Sequence, residues 1–327
     1  MKNKLVLNSI KRVALLGIVG FAVQLHAEIL VILPETGPMS RAGLTIKQGI
    51  LNASQASKNE IPLKFVNSDQ IPIKTILKKE VNKKTEMIIG PLARPDVEVL
   101  VSTKPKIPVL ALNEVYQSDK NVWQFSLSKN DDALALLDFI QNDKVTKLYI
   151  IREKGTETES INFLNALFSN FSGEVDPIDE MPKVIGRNEG ILLLGTNNWL
   201  SSIPRLQEKR IYTQAIAIEE QKTLPKGMKF CDVPAIYEKE WKEVVKANKE
   251  LPKSLAYQRL YAFGGDAWYI AQKFVLDPQI KTLSFNGRTG KIKIDGNRVE
   301  RIPQCFERSK ANLVPLYMFF ERSKDVK

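Results

Sequence analysis

Residues 29–53 read Ile29-Leu30-Val31-Ile32-Leu33, then Pro34-Glu35-Thr36-Gly37-Pro38-Met39-Ser40, then Arg41-Ala42-Gly43-Leu44-Thr45-Ile46-Lys47-Gln48-Gly49-Ile50-Leu51-Asn52-Ala53. The first group is an unbroken aliphatic run, the pattern of a strand covered on both faces. The second holds two prolines and a glycine, which is turn chemistry. In the third, Ala42, Ile46, Gly49, Ile50 and Ala53 fall on one helical face. Strand, loop and helix in that order form the unit from which mainly parallel α/β sheets are built.

The alternation continues outward from this unit. Ile61 to Val66 predicts a second strand, Ile73 to Val81 a second helix, and Met87-Ile88-Ile89 a third strand closed by Gly90-Pro91. A helix with Pro95 near its first turn follows, and Ile107 to Leu112 predicts a fourth strand. A second series begins after Trp123-Gln124-Phe125-Ser126-Leu127-Ser128, where Asn130 or Asp131 is the expected cap of a helix carrying Leu134, Leu137 and Ile140. Leu148 to Ile151, Ile191 to Leu194 and Tyr212 to Ile218 read as strands, and Ile161 to Phe171 as a helix. A mostly helical stretch from Ala235 to Val275 leads into Leu283 to Asn297, which reads as strand, Gly turn, alternating strand, Gly turn. Two successive βα series predict two α/β lobes.

With 327 residues, 43% hydrophobic and 26% charged, the chain is long and apolar enough for two cores. Disordered, collagenous and multi-span membrane classes are excluded. Lys2, Lys4, Lys11 and Arg12 precede an uncharged run from Val13 to Val23, with Ala27 shortly after. That run is too short to span a bilayer and reads as a secretory signal cleaved after residue 27. The cut removes those four cations, so the formal net charge falls from +11 to +7. It also removes His26, the only histidine, which excludes Ser-His-Asp and Cys-His nucleophiles, His-liganded zinc and histidine bases. Two cysteines, Cys231 and Cys305, are too few for a four-thiolate metal site. The residues alone leave open one disulfide or two separate thiols. No cofactor and no metal are expected.

Gly287-x-x-Gly290-Lys291 lacks the glycine spacing and the hydroxyl of a phosphate loop and reads as a hairpin turn. Asp131-Asp132 reads as a helix start and Glu219-Glu220 as a solvated turn, neither with a base partner. Lys74, Lys78, Lys79, Lys83 and Lys84 form a little-compensated basic cluster suited to an acidic partner surface or an acidic cell-wall polymer. The lysines of 239–253 are interleaved with glutamates and read as a solvated helix face. No aromatic residues interleave the lysines of 74–84, so nucleic-acid binding is not expected.

Several stretches together resemble the type I periplasmic-binding-protein fold and, within it, the C-terminal domain of penicillin-binding protein activators of the LpoA/LppC type. They are Leu33 to Pro38 running into Gly43 to Gly49, Ile89-Gly90-Pro91-Leu92, Phe125 to Ser128, Phe230-Cys231-Asp232-Val233-Pro234, Arg259 to Trp268, and Gly287 to Lys291. The Phe230 and Arg259 segments narrow the match to the activators. The resemblance implies lobe 1 from 28–126 plus 235–287 and lobe 2 from 127–234 plus 288–327, with crossovers near 126–128, 230–234 and 287–290. It implies a noncatalytic periplasmic regulator that binds and stimulates a class A penicillin-binding protein in peptidoglycan synthesis. The alternative is a solute-binding receptor of an ABC transporter, with an amino-acid-like ligand; peptidoglycan or a small ligand is a further expected partner class. Family members are often outer-membrane lipoproteins, yet no cysteine lies near residue 27, so a lipid anchor is not expected here. The interlobe cleft is the candidate site, with Thr36, Met39, Ser40, Arg41, Pro91, Leu92, Asn113, Glu114 and Asp266 as its candidate residues. The loops after the third and fourth strands carry no Ser or Thr to catch an amino acid. The resemblance also sets Cys231 at one crossover and Cys305 just past another, near enough to pair.

Overall fold

The computed structural model describes residues 27–204, 210–219, 223–250, 254–309 and 312–317. Apart from Ala27, the expected signal segment lies outside them. The first series runs β1 (Glu28–Leu33), α1 (Ser40–Ala56), β2 (Leu63–Asn67), α2 (Ile73–Glu80), β3 (Thr85–Ile89), α3 (Arg94–Ser102), β4 (Val109–Ala111) and β5 (Val122–Gln124). The second runs α4 (Lys129–Asn142), β6 (Lys147–Arg152), α5 (Glu157–Asn170), β7 (Glu174–Pro177), β8 (Glu189–Leu194), α6 (Asn197–Ser202), β9 (Ile211–Thr213) and β10 (Met228–Asp232). Then come α7 (Lys242–Glu250), α8 (Leu255–Leu276), β11 (Thr282–Gly287), β12 (Gly290–Asp295), β13 (Arg298–Ile302), β14 (Gln304–Ser309) and β15 (Asn312–Leu316).

Two mainly parallel sheets result, ordered β11-β12-β13-β5-β4-β3-β1-β2 and β15-β14-β10-β9-β8-β6-β7. The aliphatic run at Ile29–Leu33 is fully buried because helices cover both faces of its sheet. On one face Ile46 and Ile50 of α1 pack with Phe263 and Trp268 of α8. On the other, Ile73 and Ile76 of α2 pack with Val97 and Leu100 of α3. Helices α1 and α8 cross with backbones almost touching. A Cβ on Gly49 would stand 2.0 Å from the Tyr261 carbonyl oxygen, and one on Gly264 would stand 2.2 Å from that of Ile46. The two glycines cost helix propensity and permit this approach.

Three expectations change. The Gly287–Gly290 stretch is not a crossover: Arg288 and Thr289 turn β11 straight into β12, with Gly287 opposite Gly290. A two-residue turn holds both strands in one sheet, and β13 then reaches β5 at Arg298 opposite Gln124. Residues 290–302 therefore belong to the first sheet rather than to lobe 2, and the chain changes sheets only at Pro303. The strand expected from Tyr212 to Ile218 stops at Thr213 and gives way to a 3-10 turn, Ala215–Ala217. The cap of α4 is Ser128, whose Oγ accepts from the Asn130 amide at 3.1 Å, and not Asn130 or Asp131.

In the second sheet Cys231 and Cys305 stand directly opposite on β10 and β14 and are joined by a disulfide. Both are 2% exposed. No helix among the described residues is long and apolar enough to cross a membrane.

Candidate functional site

The carboxyl ends of β3, β4 and β5 open onto a cleft between the lobes, a cavity of about 750 Å³. Its floor is apolar, with Leu92, Leu112, Leu127, Leu260 and Phe263. Its walls carry Arg94 at the start of α3, Lys129 and Asn130 at the start of α4, and Asn162 on α5. Tyr116 stands fully exposed at the rim. The Ser126 hydroxyl is buried beside this cavity and has no hydrogen-bond partner among the described residues. Helix starts face the cleft because βα loops lie at the carboxyl edge of a parallel sheet.

Of the residues named from sequence, Leu92, Asn113 and Glu114 line this cavity. Asn113 Nδ2 donates to the Leu92 carbonyl at 3.1 Å, and its Oδ1 accepts from the Glu114 amide at 2.9 Å, so its amide braces the loop. Pro91 follows Gly90 through a cis peptide bond just ahead of Leu92. Thr36, Met39, Ser40 and Arg41 lie outside the cavity lining. The Thr36 hydroxyl donates to Asp69 at 2.8 Å and accepts from Asn67 at 2.9 Å, while Arg41 stacks on the Tyr257 ring at 4.2 Å. Met39 and Ser40 form the start of α1.

Asp266 does not face the cleft at all. It is fully buried on α8 and accepts from the amides of Arg288 and Thr289, both at 2.8 Å, and from the Thr289 hydroxyl at 2.7 Å. Burial pushes its carboxyl up from the usual range, against the pull of Arg288 and Thr289. Arg288 Nη1 stands 3.5 Å from its Oδ1 as a fourth donor, so Asp266 holds the β11–β12 turn with each oxygen facing two donors.

The charged side chains sequence reasoning passed over lie at the crossings between lobes. Arg259 on α8 grips Asp232 at the end of β10 through both carboxylate oxygens, at 2.8 and 2.7 Å. It also donates to the Ala215 carbonyl at 2.9 Å. The Tyr237 hydroxyl adds a bond to Asp232 at 2.6 Å. Burial alone would raise the Asp232 carboxyl, but Arg259, Tyr237 and the Val233 amide hold it below the usual range. Arg301 at the end of β13 donates to Asp132 at 2.7 Å and to the Ser128 carbonyl at 3.1 Å, with Asp131 3.3 Å from its Nε. Asp131 and Asp132 thus have a partner, which corrects their reading as a simple helix start. Burial pushes the Asp131 carboxyl up to about 7, Arg301 pulls it down, and Glu114 and Asp132 add to the rise.

Lys74, Lys78, Lys79, Lys83 and Lys84 are all exposed, and no ion pair joins them to the described residues. Glu80, the nearest carboxylate in sequence, is taken by Lys64 at 2.9 Å. Among the described residues no group of three or more His, Cys, Asp or Glu side chains is placed to hold a metal ion.

Two mainly parallel sheets, three crossings and a cleft at the strand ends define a protein of the type I periplasmic-binding-protein class. The chain belongs to the LppC family: the family described as "LppC putative lipoprotein" matches residues 11–151 and 206–308. Among curated relatives, the penicillin-binding protein activator LpoA of Glaesserella parasuis is 24% identical over 303 residues, covering 84% of this chain and 52% of the relative. The chain spans about half the length of the curated relatives it matches. A solved structure described as the LpoA C-domain from Haemophilus influenzae, a regulator of PBP1A, matches with TM-score 0.71 and 20% identity, over 89% of this chain and 100% of that one. A leucine-binding protein from Thermotoga maritima matches with TM-score 0.50 and 19% identity, over 89% and 98%. At these identities the structural likenesses establish the fold.

Proposed function

We propose that this chain is a noncatalytic regulator in the periplasm that docks on a class A penicillin-binding protein and stimulates its peptidoglycan synthesis. The observation that carries this reading is family membership joined to a match over the whole length of the H. influenzae C-domain, which is itself described as a regulator of PBP1A. The residues agree with it. The two segments that single out the activators meet in space as the Asp232–Arg259 pair, so they are wiring of the fold and not a catalytic constellation.

The partner surface we assign is the lysine face of α2 and the loop after it. Five exposed cations without described counter-ions attract an acidic surface and act mainly on the rate of encounter. The test is binding of the full chain to purified class A synthases, with crosslinking measured alongside. Binding that weakens with salt, and an association rate that falls in the Lys78→Glu, Lys79→Glu, Lys83→Glu variant, supports the reading. Absence of binding at low salt, together with strong thermal stabilisation by a free amino acid or peptide, overturns it in favour of a solute receptor.

A further inference from the structure

Two guanidinium groups, Arg301 buried and Arg259 mostly so, reach from one lobe into the other, each at a different crossing. Arg301 leaves β13 of the first sheet at 3% exposure. One of its nitrogens stays with its own lobe, donating to the Thr289 carbonyl at 3.3 Å, while another holds Ser128 and Asp132 at the start of α4. Arg259 leaves α8, which packs on the first sheet, and binds Asp232 and the Ala215 carbonyl of the second lobe. Asp232 is 2% exposed. Past the second crossing the chain is fastened back onto the first lobe by its backbone: the Ala235 amide donates to the Arg288 carbonyl of the β11–β12 turn at 3.1 Å. Asp266 and Glu243 in turn fix Arg288, the latter through its Nε at 2.9 Å.

Closing a cleft by hinge motion rotates one lobe about its crossings and requires two arrangements of similar free energy. Here a rotation that parts Arg301 from Asp132, or Arg259 from Asp232, strands a buried charge without its counter-ion, the costliest outcome for such a pair. Only rotation about the line through both crossings keeps both pairs within reach, and it still turns Ser128 and Asp132 relative to the Thr289 carbonyl, all of which the planar Arg301 fork bonds at once. We propose that these two ion pairs lock the lobes at one mutual angle, so that the cleft persists as a preformed open groove and does not shut over a ligand. This concerns the lobes alone and stands apart from the proposed regulatory role.

The test is a distance measurement across the cleft by pulsed electron spin resonance on the full chain, with labels at Tyr116→Cys and Ile161→Cys. Both sites are exposed, and the native cysteines are paired and do not take label. A single narrow distance distribution is expected, unchanged by L-leucine and by a disaccharide-tetrapeptide muropeptide. Replacing Arg301→Gln and Arg259→Gln together is expected to broaden it. A distribution already broad in the native chain, or a shortening of more than about 2 Å with either compound, overturns the proposal. So does a double variant that folds, by circular dichroism, with its distribution unaltered. Should that variant not fold, the native distribution with and without the two compounds decides.

Discussion

Replacing Cys231→Ala and Cys305→Ala together isolates what the disulfide does. The strand ladder already sets these residues opposite each other, so the folded state needs no covalent bond to keep them in register. The bond acts on the unfolded chain, where it closes a loop between cysteines 74 positions apart. Loop-closure entropy for a ring of that length corresponds to about 4 kcal/mol at 25 °C. If the lobes unfold as one unit, as the buried ties between them imply, a chain of this size loses roughly 7 °C in Tm. The assay is urea unfolding of native chain and variant without reductant, followed by far-UV and near-UV circular dichroism. Thiol titration of the unfolded native chain provides the control and should find no free thiol. A loss below about 1 kcal/mol would refute the reasoning, because it would mean that the unfolded chain keeps the two strands together without the bond.

Arg259→Leu should cost about 3–5 kcal/mol in urea unfolding, because it leaves the Asp232 carboxylate buried with only Tyr237 and Val233 as donors; adding Asp232→Leu should recover much of the loss. Asp131 binds its proton in the folded chain up to about pH 7 but releases it near pH 4 when unfolded, so its contribution to stability is complete below pH 4 and is lost as pH rises through 7. The ceiling of that loss is about 4 kcal/mol, and Asp131→Asn should flatten the fall between pH 4 and 8; an unchanged slope would exclude this carboxyl. Gly49→Ala should destabilise by about 1–3 kcal/mol, since its Cβ would collide with the Tyr261 carbonyl, whereas a stabilised variant would show that the helix crossing yields.

Much of this architecture could be read from periodicity. Ile29–Leu33 and Ile191–Leu194 announce buried parallel strands because burial on both sides of a sheet leaves no polar alternation to confuse the reading, and the α1 face announces its core. What escaped depends on partners far away in sequence. Nothing local in Arg298–Ile302 shows that it pairs with Gln124, and the Gln304–Ser309 and Asn312–Leu316 strands are too short and too mixed in polarity to stand out. The cleft was legible as a place, from the rule that ligands sit beyond strand ends, but Arg94, Lys129 and Asn162 reach it through loop geometry that composition does not encode. Asp266, which follows Gly264 and Gly265, was a cleft candidate on the condition that its helix faced the cleft, and nothing local sets that rotation. Both glycines mark close packing, Gly264 against the Ile46 backbone and Gly265 against the Arg288 side chain. Asp131 and Asp132 looked like a helix start because their counter-ion, Arg301, lies 169 positions from Asp132.

The return of β11, β12 and β13 to the first sheet has a consequence for how the chain assembles. The N-terminal lobe is not an N-terminal piece: β5 waits at Gln124 for a neighbour that begins at Arg298. During synthesis, at about 5–20 residues per second, the edge of that sheet stands unpaired for on the order of ten seconds or more. No single cut of the gene yields either lobe whole, and a truncation that removes only the last tenth of the chain, from Arg298 onward, takes the β13 strand from the first sheet and the disulfide from the second. Dissection of such a molecule has to proceed by internal excision or circular permutation, with new ends placed where the chain passes between sheets.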